Sequence, residues 1–186
     1  TSAVAYITTN GITGTGQVVF ELATGYAGTE PGPVSIGNIA GTSETLGITF
    51  RPATGYTAVT EVVGAATPNQ HAIALAGASY ITFDGRQGGT GDGRHWTVRV
   101  TGTTNAQMAV RLQNNSASMT DIIIRNLIME GAAANVTGAI FQITGVTGNT
   151  VKNVTVENNM IRSIGTTSPE VRGYGITVAV ASNTEN

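Results

Sequence analysis

Three short runs of the same form end in charge: Ile81-Thr82-Phe83-Asp84, Ile122-Ile123-Ile124-Arg125 and Val154-Thr155-Val156-Glu157. Two carboxylates on one face are the minimum set for cleaving a glycosidic bond, one as acid and the other as base or nucleophile. If the runs stack as neighbouring strands, Asp84 and Glu157 stand two strands apart, about 9.6 Å at a spacing of ~4.8 Å, near the upper edge for an inverting pair. A fourth run, Ile48-Thr49-Phe50-Arg51, extends the column to Arg51, Asp84, Arg125, Glu157 with alternating sign. Unlike charges on adjacent strands attract, so the column reads first as a structural ion ladder. It suits acid catalysis poorly, because neighbouring cations lower a carboxylate pKa where a general acid needs a raised one. The set Asp84, Arg125 and Glu157 is the alternative, catalytic reading. Asn126 and Asn158 follow the last two runs and are expected to stack and share amide hydrogen bonds at a turn.

The second candidate is RQGGTGDGRHW, residues 86–96. Arg86, Asp92, Arg94 and His95 offer the polar groups that would contact a sugar. Trp96 lies two residues before Val98 and shares its inward phase, so the expectation is a surface loop closed by a buried tryptophan. The glycines form no phosphate cradle, since no helix follows and no Gly-Lys-Ser/Thr ending is present. GGTGDG places its aspartate one position too early for the calcium nonapeptide GGxGxD and occurs once. The three aspartates, Asp84, Asp92 and Asp121, are not clustered, and neither His71 nor His95 has metal-site spacing. His71 reads as structural. No metal and no cofactor is expected, and no Gly-x-Ser-x-Gly elbow favours a serine nucleophile.

The elements that must position these residues follow from period two. In each run the first and third side chains are apolar, which is strand and not helix. The next residue is Pro52, Gly85, Asn126 or Asn158, and all four favour turns. The runs begin 33, 41 and 32 residues apart, and the excess in the middle interval falls in the loop at 86–96. Further alternation appears at Ile73 and Leu75, Val98 and Val100, Val110 and Leu112, Phe141 and Ile143, and Ile176, Val178 and Val180. A strand that returns every ~33 residues, with no amphipathic helix able to cover a sheet, predicts a solenoid of parallel strands. The competing β-sandwich needs hairpin turns every 8 to 12 residues, and Asn10-Gly11 is the one such dipeptide near the start.

Ile48, Ile81, Ile122 and Val154 should then form one interior column, with Phe50, Phe83, Ile124 and Val156 as a second. Residues 1–45, where Val18, Phe20 and Leu22 alternate, are expected to form an N-terminal cap or first rung, and residues 46–186 the remaining rungs. Asn153 precedes the fourth run, and 33 residues on the chain reads SNTEN, as GNTVKN leads into that run. The repeat is expected to continue beyond residue 186.

Composition limits the partners. Nine basic and eleven acidic residues leave a net charge of −2, with no basic run, which argues against nucleic acid. No apolar stretch approaches the ~20 residues of a membrane helix, so membrane insertion is not expected. With no cysteine there is neither a disulfide framework nor a thiolate site. Only 11 % of residues are charged, so Thr, Asn, Ser and Gly must build the surface, as is common in secreted β proteins.

NVTVENNMI resembles the repeat of right-handed parallel β-helix proteins, the pectate-lyase-like superfamily. More narrowly, VVFELATGYAGTEPGPVSI, LGITFRPATGY and ASYITFDGRQGGTGDG resemble β-helix regions of large secreted surface proteins of Bacteroidota, which commonly end in a type IX secretion sorting domain. The resemblance implies an all-β, right-handed parallel β-helix of roughly four to six rungs, extracellular or at the cell surface. It also implies a structural or adhesive role, with glycans or other surface proteins as partners; an open β-helix exposes an unpaired edge at each end, so self-association through the helix ends is expected unless they are capped. A polysaccharide lyase or glycoside hydrolase with a groove along the helix is the alternative.

Overall fold

The computed structural model describes residues 2–26, 28–30, 32–63, 71–101, 108–131, 139–163 and 174–179. A helix, α1 (Ser2–Asn10), precedes five rungs of three strands. The first rung is β1 (Val18–Leu22), β2 (Thr29–Glu30) and β3 (Val34–Gly37); the second is β4 (Ile48–Pro52), β5 (Ala58–Val63) and β6 (His71–Ala76). The third is β7 (Ile81–Asp84), β8 (Trp96–Thr101) and β9 (Met108–Gln113), and the fourth β10 (Ile122–Arg125), β11 (Leu127–Gly131) and β12 (Ala139–Thr144). The fifth is β13 (Val154–Glu157), β14 (Met160–Ser163) and β15 (Tyr174–Ala179). Corresponding strands pair in parallel into three five-stranded sheets, ordered β1-β4-β7-β10-β13, β2-β5-β8-β11-β14 and β3-β6-β9-β12-β15. This is a parallel β-helix.

The register follows the apolar columns. Ile48 pairs with Ile81, Ile81 with Ile122 and Ile122 with Val154; Phe50, Phe83, Ile124 and Val156 run beside them. The rings of Phe20 and Phe50 stack at 5.3 Å and those of Phe50 and Phe83 at 5.4 Å, offset geometries that add to the area they bury. In the third sheet Ile73, Val110, Phe141 and Ile176 form one column, and Leu75, Leu112, Ile143 and Val178 the next. Val180 and the SNTEN tail lie outside the described residues.

Each corner is imposed by backbone chemistry. Asn126 alone joins β10 to β11, and its φ of 55° is in the left-handed region that Asn tolerates better than most residues. Asn158, with φ 50°, repeats the corner one rung on. A left-handed residue also stands just before each of β7, β10 and β13: Tyr80, Asp121 and Asn153. Between the third and fourth rungs, buried Asn114 donates to the Asn149 carbonyl at 2.8 Å and accepts from the Val146 amide at 2.7 Å. These polar side chains replace the hydrogen bonds that the chain loses where it leaves the sheets.

Two expectations change at the N-terminus. Asn10-Gly11 makes no hairpin: Gly11, at φ 68°, ends α1, and its amide bonds to the Ile7 carbonyl at 2.9 Å. The left-handed glycine that suits a type I′ turn also suits a helix C-terminus, so the dipeptide alone does not separate the two. The helix itself went unread in the sequence, because Thr8, Thr9 and Asn10 weaken its propensity. Packing compensates, with Ile7 only 2 % exposed and the helix set against β3.

Candidate functional site

The outward column of the first sheet is the predicted one with two changes. It begins a rung earlier, at Glu21, which accepts from Arg51 at 2.9 and 3.0 Å. Arg51 therefore pairs away from Asp84; the short turn at Gln87–Gly89 lies against its guanidinium, so that a β-carbon on Gly89 would meet it. Asp84 is only 1 % exposed. It takes hydrogen bonds from the Arg86 backbone and guanidinium, the closest at 2.7 Å, and an ion pair from Arg125 at 2.9 Å. Arg125 then reaches Glu157 at 4.0 Å.

Burial alone would raise the Asp84 pKa, but the Arg86 hydrogen bonds and the Arg125 charge outweigh it and hold the carboxyl below its ordinary value. It is an acceptor with no proton to give. The guanidinium of Arg125 also occupies the space between Asp84 and Glu157, where an inverting pair would need water and the glycosidic oxygen.

The loop at residues 85–95 replaces the single-residue corner of the fourth rung. It crosses two rungs: Arg94 donates to the Asn158 carbonyl at 2.6 Å and to its side-chain oxygen at 2.5 Å. Asn126 and Asn158 both donate to the Asp92 carbonyl, at 2.8 and 3.3 Å. The expected amide sharing between these asparagines is thus replaced by a common bond to the loop, which presents a free carbonyl at the right height. Gly85 permits this closeness, because a β-carbon there would fall on the Asn126 carbonyl. His95 fixes the return of the chain through its backbone, which donates to the Gly85 carbonyl at 2.7 Å and accepts from the Ala58 amide at 2.8 Å.

Of the four ligand candidates, Arg86 and Arg94 are committed to internal partners, His95 is half-buried, and the Asp92 side chain is exposed. Trp96 is buried as expected, its Nε1 donating to Thr60 at 3.0 Å. His71 opens β6 opposite Met108. Among the described residues no group of three His, Cys, Asp or Glu side chains is placed to hold a metal, and no helix is long and apolar enough to cross a membrane.

Removing the Arg94 anchor should free the loop without harming the rungs. In Arg94→Ala, limited proteolysis is expected to cut within residues 86–95 at least about tenfold faster, with the thermal midpoint nearly unchanged, since exposed polar contacts contribute little to global stability. An unchanged cleavage rate would show that the asparagine bonds suffice.

A second ladder was missed. On the outer face of the second sheet Glu61, Arg99, Glu130 and Arg162 are in register. Glu130, fully buried, accepts from Arg99 at 2.5 Å and from Arg162 at 2.6 Å, and Arg99 lies 3.9 Å from Glu61. Burial opposes ionisation of Glu130, yet the two arginines hold its pKa below the ordinary value. Half of the signal was available: Glu130 and Arg162 each lie four residues after a corner asparagine, Asn126 and Asn158.

The rungs, the columns and the two ladders define a parallel β-helix whose described outer charges are largely paired with one another. No protein-family model matches this chain, nor does any curated protein or solved structure in the comparisons made.

Proposed function

We propose that the chain is a non-catalytic structural or adhesive module, a rigid stalk that presents its loops outside the cell or on its surface. The observation that carries the reading is the pairing at Asp84: the most buried carboxylate of the predicted groove is held ionised between Arg86 and Arg125. A surface so neutralised suits stiffness more than acid–base chemistry. The charge-poor, Thr- and Asn-rich composition supports an extracellular setting. The resemblance to right-handed β-helix regions of Bacteroidota surface proteins supports export by a type IX route. Carbohydrate or another surface protein is the partner class, met by exposed loop groups such as Asp92. Self-association through the helix ends belongs to the same reading, since an uncovered sheet edge can pair with a second copy.

The test is incubation with a panel of neutral and acidic polysaccharides, following both retention and chain length. Retention without shortening is expected. Shortened chains with new ends, lost in Asp84→Ala, would overturn the reading and make Asp84, Arg125 and Glu157 a catalytic groove.

A further inference from the structure

The lumen of the first three rungs holds a cavity of about 590 Å³, within the range of roughly 300–1,000 Å³ in which small-molecule sites fall. One wall is a continuous aromatic surface. The stacked rings of Phe20, Phe50 and Phe83 form it, and the Trp96 indole extends it, edge-on to Phe83 at 5.7 Å. Val34 and Ile73 of the third sheet and Val4 of α1 line the cavity as well, and it reaches the surface beside the exposed residues Glu21, Thr24 and Thr29.

Four polar side chains also line this space, and they are bonded to one another. The Trp96 indole N–H donates to Thr60 Oγ1 at 3.0 Å. The Thr60 and Tyr26 hydroxyls lie 3.0 Å apart, and Tyr26 donates to Glu30 Oε1 at 3.3 Å. Tyr26 gives its single hydroxyl hydrogen to Glu30, so Thr60 must donate to Tyr26. Every indole and hydroxyl hydrogen of the set is therefore committed, and Glu30 is engaged beyond Tyr26 as well. Burial, the first of several causes, raises the Tyr26 pKa, so the phenol keeps its hydrogen at neutral pH. A guest oxygen that can only accept finds no free donor in this set. It would give up its hydrogen bonds to water and gain none in return.

We propose that the cavity takes a neutral, wholly apolar guest, a hydrocarbon ring with or without a short alkyl chain, held against the aromatic wall by burial and shape alone. Such a guest restores to the lining the dispersion contacts that an empty space forfeits, and it asks nothing of the bonded polar set. A flat ring suits the wall best, because stacked and edge-on contacts with Phe50, Phe83 and Trp96 add to the apolar area it buries. Water competes poorly for a space lined mainly by carbon.

Trp96 is the only tryptophan of the chain and lines the cavity, so its emission reports on a guest directly. The probes are bromobenzene, whose heavy atom quenches an indole in contact, and 4-bromoacetophenone, which adds an acceptor and no donor. The whole chain is titrated with each at pH 7, and again as Val34→Phe and as Val4→Phe, which narrow the cavity from β3 and from α1. Saturable quenching is expected with bromobenzene, and binding at least about tenfold weaker with the ketone. Either substitution should leave only the linear, collisional part of the quenching while circular dichroism keeps the strand signature. If one variant loses that signature, the other carries the comparison. The proposal is overturned if bromobenzene quenches the native chain only linearly, if saturation persists in a folded variant, or if the ketone binds the native chain as tightly as bromobenzene.

Discussion

The Ile124→Asp variant is expected to lose at least three rungs together and not merely to weaken. Ile124 is fully buried in the fourth of the five strands of the first sheet, in register with Phe83 on one side and Val156 on the other. Losing its apolar burial alone forfeits about 1.5–3 kcal/mol. Placing a carboxylate there adds several kcal/mol, since the neighbouring column side chains Phe83 and Val156 are apolar and carry no counter-charge. The sum exceeds about 5 kcal/mol, the lower end of the stability of a whole domain. Because each rung is held only by its neighbours, the third, fourth and fifth rungs should melt as a unit. Circular dichroism against temperature checks this, with Thr155→Asp as the control. Thr155 points outward from β13 and is exposed, so that change should stay within about 0.5 kcal/mol. A native-like melt for Ile124→Asp would mean that the column is not the core.

The second large effect is acid sensitivity, and its sign is fixed by the ladders. Asp84 and Glu130 both have folded pKa values below their ordinary values of 3.8 and 4.5. The unfolded chain therefore binds more protons than the folded one as acid is added, and stability falls with pH. Their contribution is fully present above the ordinary carboxylate range and is lost as pH drops through it toward the depressed folded values. Urea midpoints should hold steady from pH 7 to about 5 and fall steeply below about 4.

Asp84→Asn isolates half of this effect. It removes the anion of Arg86 and leaves Arg125 only the longer contact to Glu157, a loss of about 2–3 kcal/mol at pH 7, below the figure for fully buried pairs because both arginines keep contact with water. The variant should also lose less stability than the native chain between pH 5 and 3. Parallel pH curves for the two proteins would sink the assignment of acid sensitivity to Asp84.

The interior of the solenoid was legible because alternation is a local property. Ile81 and Phe83, or Val110 and Leu112, can be placed on one face by counting, and equal spacing then stacks them. The sign alternation of Arg51, Asp84, Arg125 and Glu157 was legible for the same reason, as was the burial of Trp96 two residues before Val98.

Which charge each side chain chose was not. Arg51 turns to Glu21, and Asp84 to Arg86, because the loop at 85–95 folds back over the corner and occupies the space between them. The choice of Asp92 over a neighbouring amide by Asn126 and Asn158 has the same origin: the partner lies more than thirty residues away and arrives only when the rungs have stacked. The hydrogen-bonded set of Tyr26, Glu30, Thr60 and Trp96 depends on tertiary structure most of all, since it draws on three rungs and shares no motif. Period and spacing are set by the chain's own geometry, so the sequence by itself determines the parallel stack and its inner and outer columns. Hydrogen-bond partners and enclosed volume depend on which distant groups meet once water has been excluded, and only the folded chain decides that.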